Sequence, residues 1–213
     1  VTNENVIRGE LLVDEGDPFT KVNLDKSVAN LKSRRIFRSV ETKVNEGSEK
    51  NLKVIDIEVE EQPTGELSAG AGVGTNGGTF AINVSENNWL GEGKNLNFEV
   101  EVDEESLAGR IQYTNPNYDF LGNSLSYHLE NESNDKPNQG YENTVLSAGV
   151  STSFEQYKDI FANLGIFASY DDLRTLDSAS ASLKKQSGNF SEIAGVYGFK
   201  YDKRNRTFMP TSG

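Results

Sequence analysis

The spacing of hydrophobic residues in the first 62 positions changes from a helical pattern to an alternating one. Thr2 and Thr20 stand where they can cap two successive helices, and the Gly-Asp-Pro segment at 16–18 separates the helices. The apolar positions recur at helical intervals: Ile7 and Leu11 in the first helix, and Leu24, Val28 and Leu31 in the second. This pattern predicts two helices that each bury one apolar face.

Two segments after the second helix alternate with a period of two. Apolar or β-branched residues at 40, 42 and 44 and at 55, 57 and 59 are separated by charged ones, with a turn at 46–48. The first 62 residues are therefore predicted to form a small α+β module whose sheet keeps a polar face in water. A domain of this size is marginal alone, so we expect a partner strand upstream, giving the order β-α-α-β-β.

From Gly65 onward the helical pattern gives way to long alternating segments. The clearest alternation lies at 80–84, 96–102, 125–129, 164–170 and 193–201. Turn residues separate the segments at roughly 15–25 positions, whereas soluble sandwiches show turns roughly every 8–12. Strands of this length suit a tilted membrane crossing. The pattern predicts about eight antiparallel strands of an incomplete transmembrane β-barrel, rather than an ordinary soluble all-β protein.

Charged residues occupy one face of several predicted strands. A water-filled barrel interior accommodates such charges, whereas a dry core does not. Four aromatic residues near strand ends suit the girdle of a membrane barrel: Trp89, Tyr118, Tyr157 and Tyr201. Because half a barrel leaves open edges, we expect a curved open sheet with residues 189–203 as its exposed terminal strand.

Composition agrees with a barrel wall and excludes several functions. Only 35% of the 213 residues are hydrophobic, beside 20 glycines, 11 Phe and 8 Tyr. The net charge of −12 disfavours a nucleic-acid partner. The absence of cysteine excludes disulfides and thiol chemistry. The sequence contains no run of about 18 apolar residues, so it predicts no membrane helix. The first residues lack signal-peptide features.

No residue set in the sequence predicts a catalytic, cofactor or metal site. His128 is the only histidine, which excludes a histidine-cluster metal site, and its alternation with apolar neighbours favours a polar face of a strand. Residues 72–77 match a dinucleotide fingerprint, but a strand follows them instead of the required helix. The acidic runs 103–105 and 171–172 could bind calcium, although such runs are more often solvated loop tips. We expect a protein that is not an enzyme.

Several short motifs resemble, in order, those of the BamA family of outer-membrane insertases. In the first region these are residues 15–19 and 36–40, although Arg34 and Arg35 stand where the family often has Leu-Gly. Residues 59–65 resemble the hinge into the barrel, and 70–74 its glycine-bearing first strand. Later turns complete the series: 87–93 (NNWLGEG), 114–118 (TNPNY), and 201–205 with 210–213.

The resemblance implies a sixteen-stranded outer-membrane barrel behind a string of POTRA domains. Residues 1–62 would be the last POTRA domain, truncated at its N-terminus, and 63–213 the first half of the barrel. The implied location is the outer membrane of a Gram-negative bacterium, with POTRA in the periplasm. The implied partners are unfolded outer-membrane proteins, accessory assembly lipoproteins, periplasmic chaperones and outer-membrane lipid, with no cofactor.

A cluster of glycines in the first barrel strand suggests how such a protein could work. Gly65, Gly70, Gly72 and Gly74 fall within ten residues, and glycine weakens a strand interior. We expect a poorly sealed edge, a lateral gate, that templates an incoming strand by β-augmentation. The alternative is that these glycines only permit curvature or close packing at the junction. The gate residues would be Glu66, Leu67, Ser68, Ala69, Gly70, Ala71, Gly72 and Val73.

The strand bearing Val40, Thr42 and Val44 offers a second edge for strand addition. A neighbouring strand could instead cover that edge, and the charges at 38, 41 and 43 are of the kind that blunt edges. Two functions compete with the insertase. One is a polypeptide translocation pore of the two-partner secretion type, and the other is a passive channel, which the POTRA-like region disfavours.

Overall fold

The computed structural model describes residues 1–49, 52–74, 77–204 and 211–212. An N-terminal module contains two helices, α1 (Glu4–Arg8) and α2 (Lys21–Ser33), followed by two antiparallel strands, β1 (Phe37–Glu46) and β2 (Lys53–Glu61). This is the predicted order of helix, helix, strand and strand. None of the helices in the described residues is long and apolar enough to cross a membrane.

The core of this module forms where α2 packs on β1. Leu31 and Ile36 are fully buried, and Phe37 and Val40 are nearly so. The predicted stripe of α2 supplies the helix side of this core, and Thr20 caps the helix, its hydroxyl accepting a hydrogen bond from the Asn23 N–H. Partly buried residues complete the core: Val6, Ile7, Leu11, Val28, Ile57 and Val59.

The remainder of the chain forms one open sheet of eight antiparallel strands. The strands follow one another as a meander, so each pairs with its sequence neighbours. They are β3 (Gly65–Gly74), β4 (Gly77–Trp89), β5 (Lys94–Val102), β6 (Ser106–Asn115), β7 (Ser124–Lys136), β8 (Tyr141–Tyr157), β9 (Ile160–Thr175) and β10 (Gly188–Tyr201). The eight strands, the open sheet and the terminal position of β10 match the sequence predictions.

Three sequence predictions need correction or fall outside the described chain. Thr2 does not cap α1, because its backbone N–H and hydroxyl bond to Glu61 and Asn88; the cap position is Asn3, and α1 ends at Arg8, before Leu11. A short helix, α3 (Ala181–Lys184), lies between β9 and β10 where only a turn was expected. The motifs around 76, 205, 210 and 213 include positions outside the described residues.

Candidate functional site

The predicted gate residues all lie on β3, the strand at one edge of the large sheet. β3 pairs with β4 over ten residues, from Gly65 opposite Glu86 to Gly74 opposite Gly77. Within the described residues, no strand pairs with its other side. Every residue of β3 is exposed. The strand therefore presents a row of backbone groups without a strand partner, which is the feature that strand addition requires.

The side chains of β3 contribute little packing. Ala69 and Ala71 lie opposite Ile82 and Phe80, whereas Gly70 and Gly72 lie opposite Ala81 and Thr79. A Cβ atom added to Gly70, Gly72 or Gly74 would meet no atom within 4 Å. These three glycines are therefore not required by close contacts among the described residues, which weakens the alternative explanation from close packing at the junction. Cross-strand side-chain pairs stabilise a sheet, so β3 is held mainly by its backbone ladder with β4.

The face of the sheet that carries Ala69 and Ala71 is apolar and uncovered. The cross-strand register places on this face a continuous band of large hydrophobic side chains. Examples from successive strands are Phe98, Ile111, Leu129, Leu146, Ile166 and Ile193, all of them exposed. Soluble proteins rarely expose a patch of this extent, whereas a barrel wall presents such a band to lipid.

The opposite face is charged and centres on Arg110 of β6. Its Nε lies 2.6 Å from Oε1 of Glu130 on β7, and its Nη1 lies 3.5 Å from Glu101 and 3.9 Å from Glu99 on β5. One guanidinium thus links three neighbouring strands. A hydrated barrel interior suits this arrangement, because the ionised groups are paired and partly exposed. Sequence analysis predicted the charged face but not the role of Arg110, since the pairing depends on register.

Aromatic residues collect at one end of the sheet. Trp89, Tyr157 and Tyr201 end β4, β8 and β10, and Tyr118 lies in the turn between β6 and β7. Because the strands are antiparallel and consecutive, these four positions share one end, as an interfacial girdle requires. The N-terminal module contacts the turns at this same end, so the module lies next to the girdle.

The second predicted edge lies in the separate two-stranded sheet of the module. Val40, Thr42 and Val44 pair with Val59, Ile57 and Ile55 of β2, and among the described residues β1 has no further strand partner. The side chain of Val40 is buried in the module core, so only the backbone edge of β1 is free to pair. The basic residues of β1 pair across to β2: Arg38 with Glu60 at 3.0 Å, and Lys43 with Glu58 at 3.8 Å.

A short linker joins β2 to β3 and is bonded at both ends. Gln62 donates from its backbone N–H to the Ile36 carbonyl at 3.0 Å, and Asn87 of β4 donates to the Thr64 carbonyl at 3.2 Å. The linker therefore joins the module directly to the start of the edge strand. No described His, Asp or Glu side chains group in threes as a metal site would need.

An open sheet of long antiparallel strands, with one face uncovered and apolar and the other charged, is the wall of an outer-membrane β-barrel. A domain model described as the Omp85 superfamily domain matches residues 88–213. The chain belongs to the Omp85 superfamily.

Relatives within the superfamily agree with the resemblance drawn from the sequence. The outer membrane protein assembly factor BamA of Neorickettsia risticii is 26% identical over 218 residues, which covers 100% of this chain and 29% of that protein. A crystal structure of BamA from Haemophilus ducreyi lacking POTRA domains 1–3 has a TM-score of 0.75 at 20% identity, over 100% of this chain and 44% of that one. The predicted relationship to BamA and the location in a Gram-negative outer membrane are confirmed.

A second solved structure shares the fold. CdiB from Acinetobacter baumannii has a TM-score of 0.57 at 14% identity, over 93% of this chain and 40% of that one. At such identities a likeness concerns the fold alone. The chain spans 15% to 29% of the lengths of the curated relatives that it matches.

Proposed function

We propose that this chain forms the gate side of an insertase that assembles β-barrel proteins in the outer membrane. In this proposal, β3 accepts the strand of an unfolded outer-membrane protein by β-augmentation along residues 66–73. The observation that carries the proposal is the edge strand itself, which is ten residues long, fully exposed and, among the described residues, paired with a strand on one side only. The work is non-covalent, so it needs neither cofactor nor metal.

The energetic argument rests on the exchange of one strand partner for another. Backbone groups that lack a partner in the hydrocarbon region are costly, so any partner strand there is favourable. A first strand with strong side-chain contacts would hold its closing strand tightly. A strand of glycine and alanine holds it mainly by backbone bonds, which an incoming strand can replace at little cost.

The N-terminal module would act on the periplasmic side. We assign residues 1–62 to a POTRA domain and 63–213 to barrel strands. The α-α-β-β order and the likeness over the whole chain to a BamA structure lacking POTRA domains 1–3 support this division. The free edge of β1, along Val40, Thr42 and Val44, is the candidate for docking partner peptides. Periplasmic chaperones and accessory assembly lipoproteins are the proposed partners there, with lipid around the barrel.

A polypeptide translocation pore of the two-partner secretion type remains the second candidate, since it shares the plan of a POTRA region followed by a barrel. The fold likeness to CdiB is the observation that supports the pore as an alternative. That likeness has a lower TM-score than the one to BamA. The two functions differ in what happens to the client. An insertase leaves a folded barrel in the membrane, whereas a pore releases a polypeptide on the far side.

Strengthening β3 tests the proposal in the full-length protein reconstituted into liposomes. Gly70→Val with Gly72→Val adds β-branched side chains to the interior-facing side of the strand, where no atom lies within 4 Å to oppose them. The double variant should slow the folding of a client barrel. Folding is measured by the heat-modifiable mobility of the client on gels. Gly198→Val on β10 is the matched control, because its Cβ would also meet open space.

Unchanged client folding in the double variant, with a normally folded barrel, would contradict the gate. Export of a soluble passenger without insertion of any barrel client would favour the translocation pore. Slower client folding in Gly198→Val to the same degree would show that the effect is not specific to β3.

A further inference from the structure

The strongest feature that the proposed function leaves unused is the contact between the N-terminal module and two turns of the barrel. Asn3 donates from its backbone N–H to the Gly91 carbonyl at 2.8 Å. Asn117, in the turn between β6 and β7, donates from its side chain to the Gly9 carbonyl at 2.8 Å. Bonds to two separate turns define an orientation and not merely a tether.

Arg34, the residue directly after α2, lies at the centre of this contact. Its Nη2 donates to the carbonyl oxygen of Gly93, in the turn between β4 and β5. Its Nε lies 3.5 Å from Oε1 of Glu10 in the module. The Arg34 side chain is only 12% exposed and that of Glu10 13%. The module therefore buries a paired charge against the backbone of a barrel turn.

Burial of this charge constrains the geometry. Burial lowers the pKa of the Arg34 guanidinium and Glu10 opposes that effect, but an arginine remains charged at any physiological pH. A buried charge that loses its partners is strongly destabilising. Its Nε makes no hydrogen bond among the described residues, so the Gly93 carbonyl and Glu10 are the partners that compensate its burial. The arrangement is thus sensitive to small displacements of the turn.

The barrel side of the contact requires glycine. A Cβ atom on Gly93 would lie 2.6 Å from Cγ1 of Val6 and 2.7 Å from Nη2 of Arg34. The φ of Gly93, +64°, also belongs to the left-handed region. Gly122, in the next turn at this end, has a φ of +86°, but its Cβ would meet no atom within 4 Å. Gly91, in the same turn as Gly93, also has a left-handed backbone (φ +76°) and a Cβ position that meets the module, at the Val1 carbonyl, but of the two only Gly93 contacts Arg34.

We propose that Arg34 is a positioning residue. Together with Gly93, it fixes the N-terminal module in one orientation at the end of the barrel where the edge strand β3 begins. The Gly93 turn begins β5, whose partner β4 is the strand that holds β3. The turn that fixes the orientation of the module therefore joins β5 to β4, the strand that pairs with the proposed gate. This inference does not depend on which client the barrel handles or on whether β3 opens.

Double electron–electron resonance on the full-length protein in lipid nanodiscs tests the proposal. Spin labels at Ser48, in the module, and at Lys158, in the turn between β8 and β9, both occupy exposed positions. The unmodified background should give a single narrow distance distribution. Arg34→Ala and Gly93→Ala should each broaden and shift it. The matched controls, Arg35→Ala and Gly122→Ala, should retain the narrow distribution.

A wild-type distance distribution in either Arg34→Ala or Gly93→Ala would overturn the proposal, as would equal broadening in the controls. Amide exchange at the buried positions Leu31 and Ile36 shows whether the module remains folded in Arg34→Ala. If it does not, Gly93→Ala decides alone, because that change lies in the barrel turn. Client folding is not part of the readout, so failure of the gate proposal would leave this result interpretable.

Discussion

The side-chain nitrogen of Asn88 donates a hydrogen bond to the hydroxyl oxygen of Thr2, 2.8 Å away and 86 positions earlier in the chain. The other atom of the same amide, Oδ1, accepts from the backbone N–H of Gly93 at 2.7 Å. Because that backbone group can only donate, it fixes which way the amide points. One asparagine therefore closes the barrel turn and binds the module that rests on it.

Loss of this amide should loosen the docked module. Asn88→Ala leaves the Gly93 N–H and the Thr2 hydroxyl without their partner, and an unsatisfied buried polar group costs about 1–3 kcal/mol. Amide exchange at Asn3, whose N–H bonds to Gly91, should become about tenfold faster, since about 1.4 kcal/mol corresponds to a factor of ten. Asn45→Ala, which removes an exposed bond to Asp56, is the control and should leave Asn3 unchanged. Wild-type exchange in Asn88→Ala would mean that the contact adds no stability.

Glycine in place of Arg35, the second residue after α2, should stabilise the module. Arg35 has a φ of +58°, in the left-handed region where a side chain costs about 1 kcal/mol or more. Arg35→Gly should therefore slow amide exchange in β1 by severalfold. Lys32→Gly, within the last turn of α2, should have the opposite effect, because glycine weakens a helix interior by about 1 kcal/mol. Faster exchange in Arg35→Gly would show that the arginine side chain contributes more than its backbone strain removes.

The ring of Phe167 on β9 should leave no room for a side chain at Gly149 on β8. The two residues are directly paired, and a Cβ on Gly149 would meet that ring. Gly149→Ala should destabilise the barrel by about 1–3 kcal/mol, the usual range for overpacking. Phe167→Ala in the same chain should recover most of the loss, which a double-mutant cycle in urea unfolding measures. Gly195→Ala, where a Cβ meets open space, is the control. Additive effects of the two changes would contradict the contact.

The N-terminal segment of the module should loosen in acid through Glu61, whose partner Thr2 lies in the same module. The backbone N–H of Thr2 donates to the Glu61 carboxylate and lowers the pKa of Glu61 below its ordinary value. A lowered pKa in the folded module means that the charged form stabilises the contact between the N-terminal segment and β2 above the ordinary glutamate pKa. This stabilisation is lost as the pH falls through the lowered value.

The pH dependence can be measured as the protection of the Asn3 amide, corrected for intrinsic exchange. Protection should fall with acidification in the wild-type protein and change less in Glu61→Gln, which carries no titrating carboxylate. The same acid loss in both proteins would assign the effect to another group.

Sequence patterns predicted most of the sheet because its strands alternate strongly. Strands such as β5 separate Phe98 and Val100 from Glu99 and Glu101, so their period of two is plain. β8 was not singled out, since its polar face holds serine and glycine and its apolar face includes alanine, which lowers the contrast. The short α3 was missed because four residues carry too little periodicity, although Ser180 provides a capping signal.

The contacts of the site could not be predicted in the same way. The glycines of β3 were visible in the sequence, and the strand they form needs only local alternation. The bonds of Thr2 and Arg34 join residues 86 and 59 positions apart, and no local pattern encodes such a distance. A threonine just before a helix favours a capping role for Thr2, but in the structure its hydroxyl bonds to Asn88 instead.

The central claim, that β3 pairs with an incoming strand, is tested most directly by disulfide crosslinking in the full-length protein. Cysteine at Ala69 or Ala71 would be combined with cysteine in the terminal strand of a stalled barrel client. Paired strands bring Cα atoms within the distance that a disulfide spans, about 4.4–6.8 Å, whereas a shift of two residues does not. Ala148→Cys on β8 is the matched control, because it lies on the same face but is paired on both sides.

The account predicts that cysteines at both β3 positions crosslink, each to a different client position, and that these two client positions lie two residues apart. Ala148→Cys should not crosslink. Crosslinks absent from β3 while the protein still assembles the client, or equally frequent at Ala148→Cys, would contradict it.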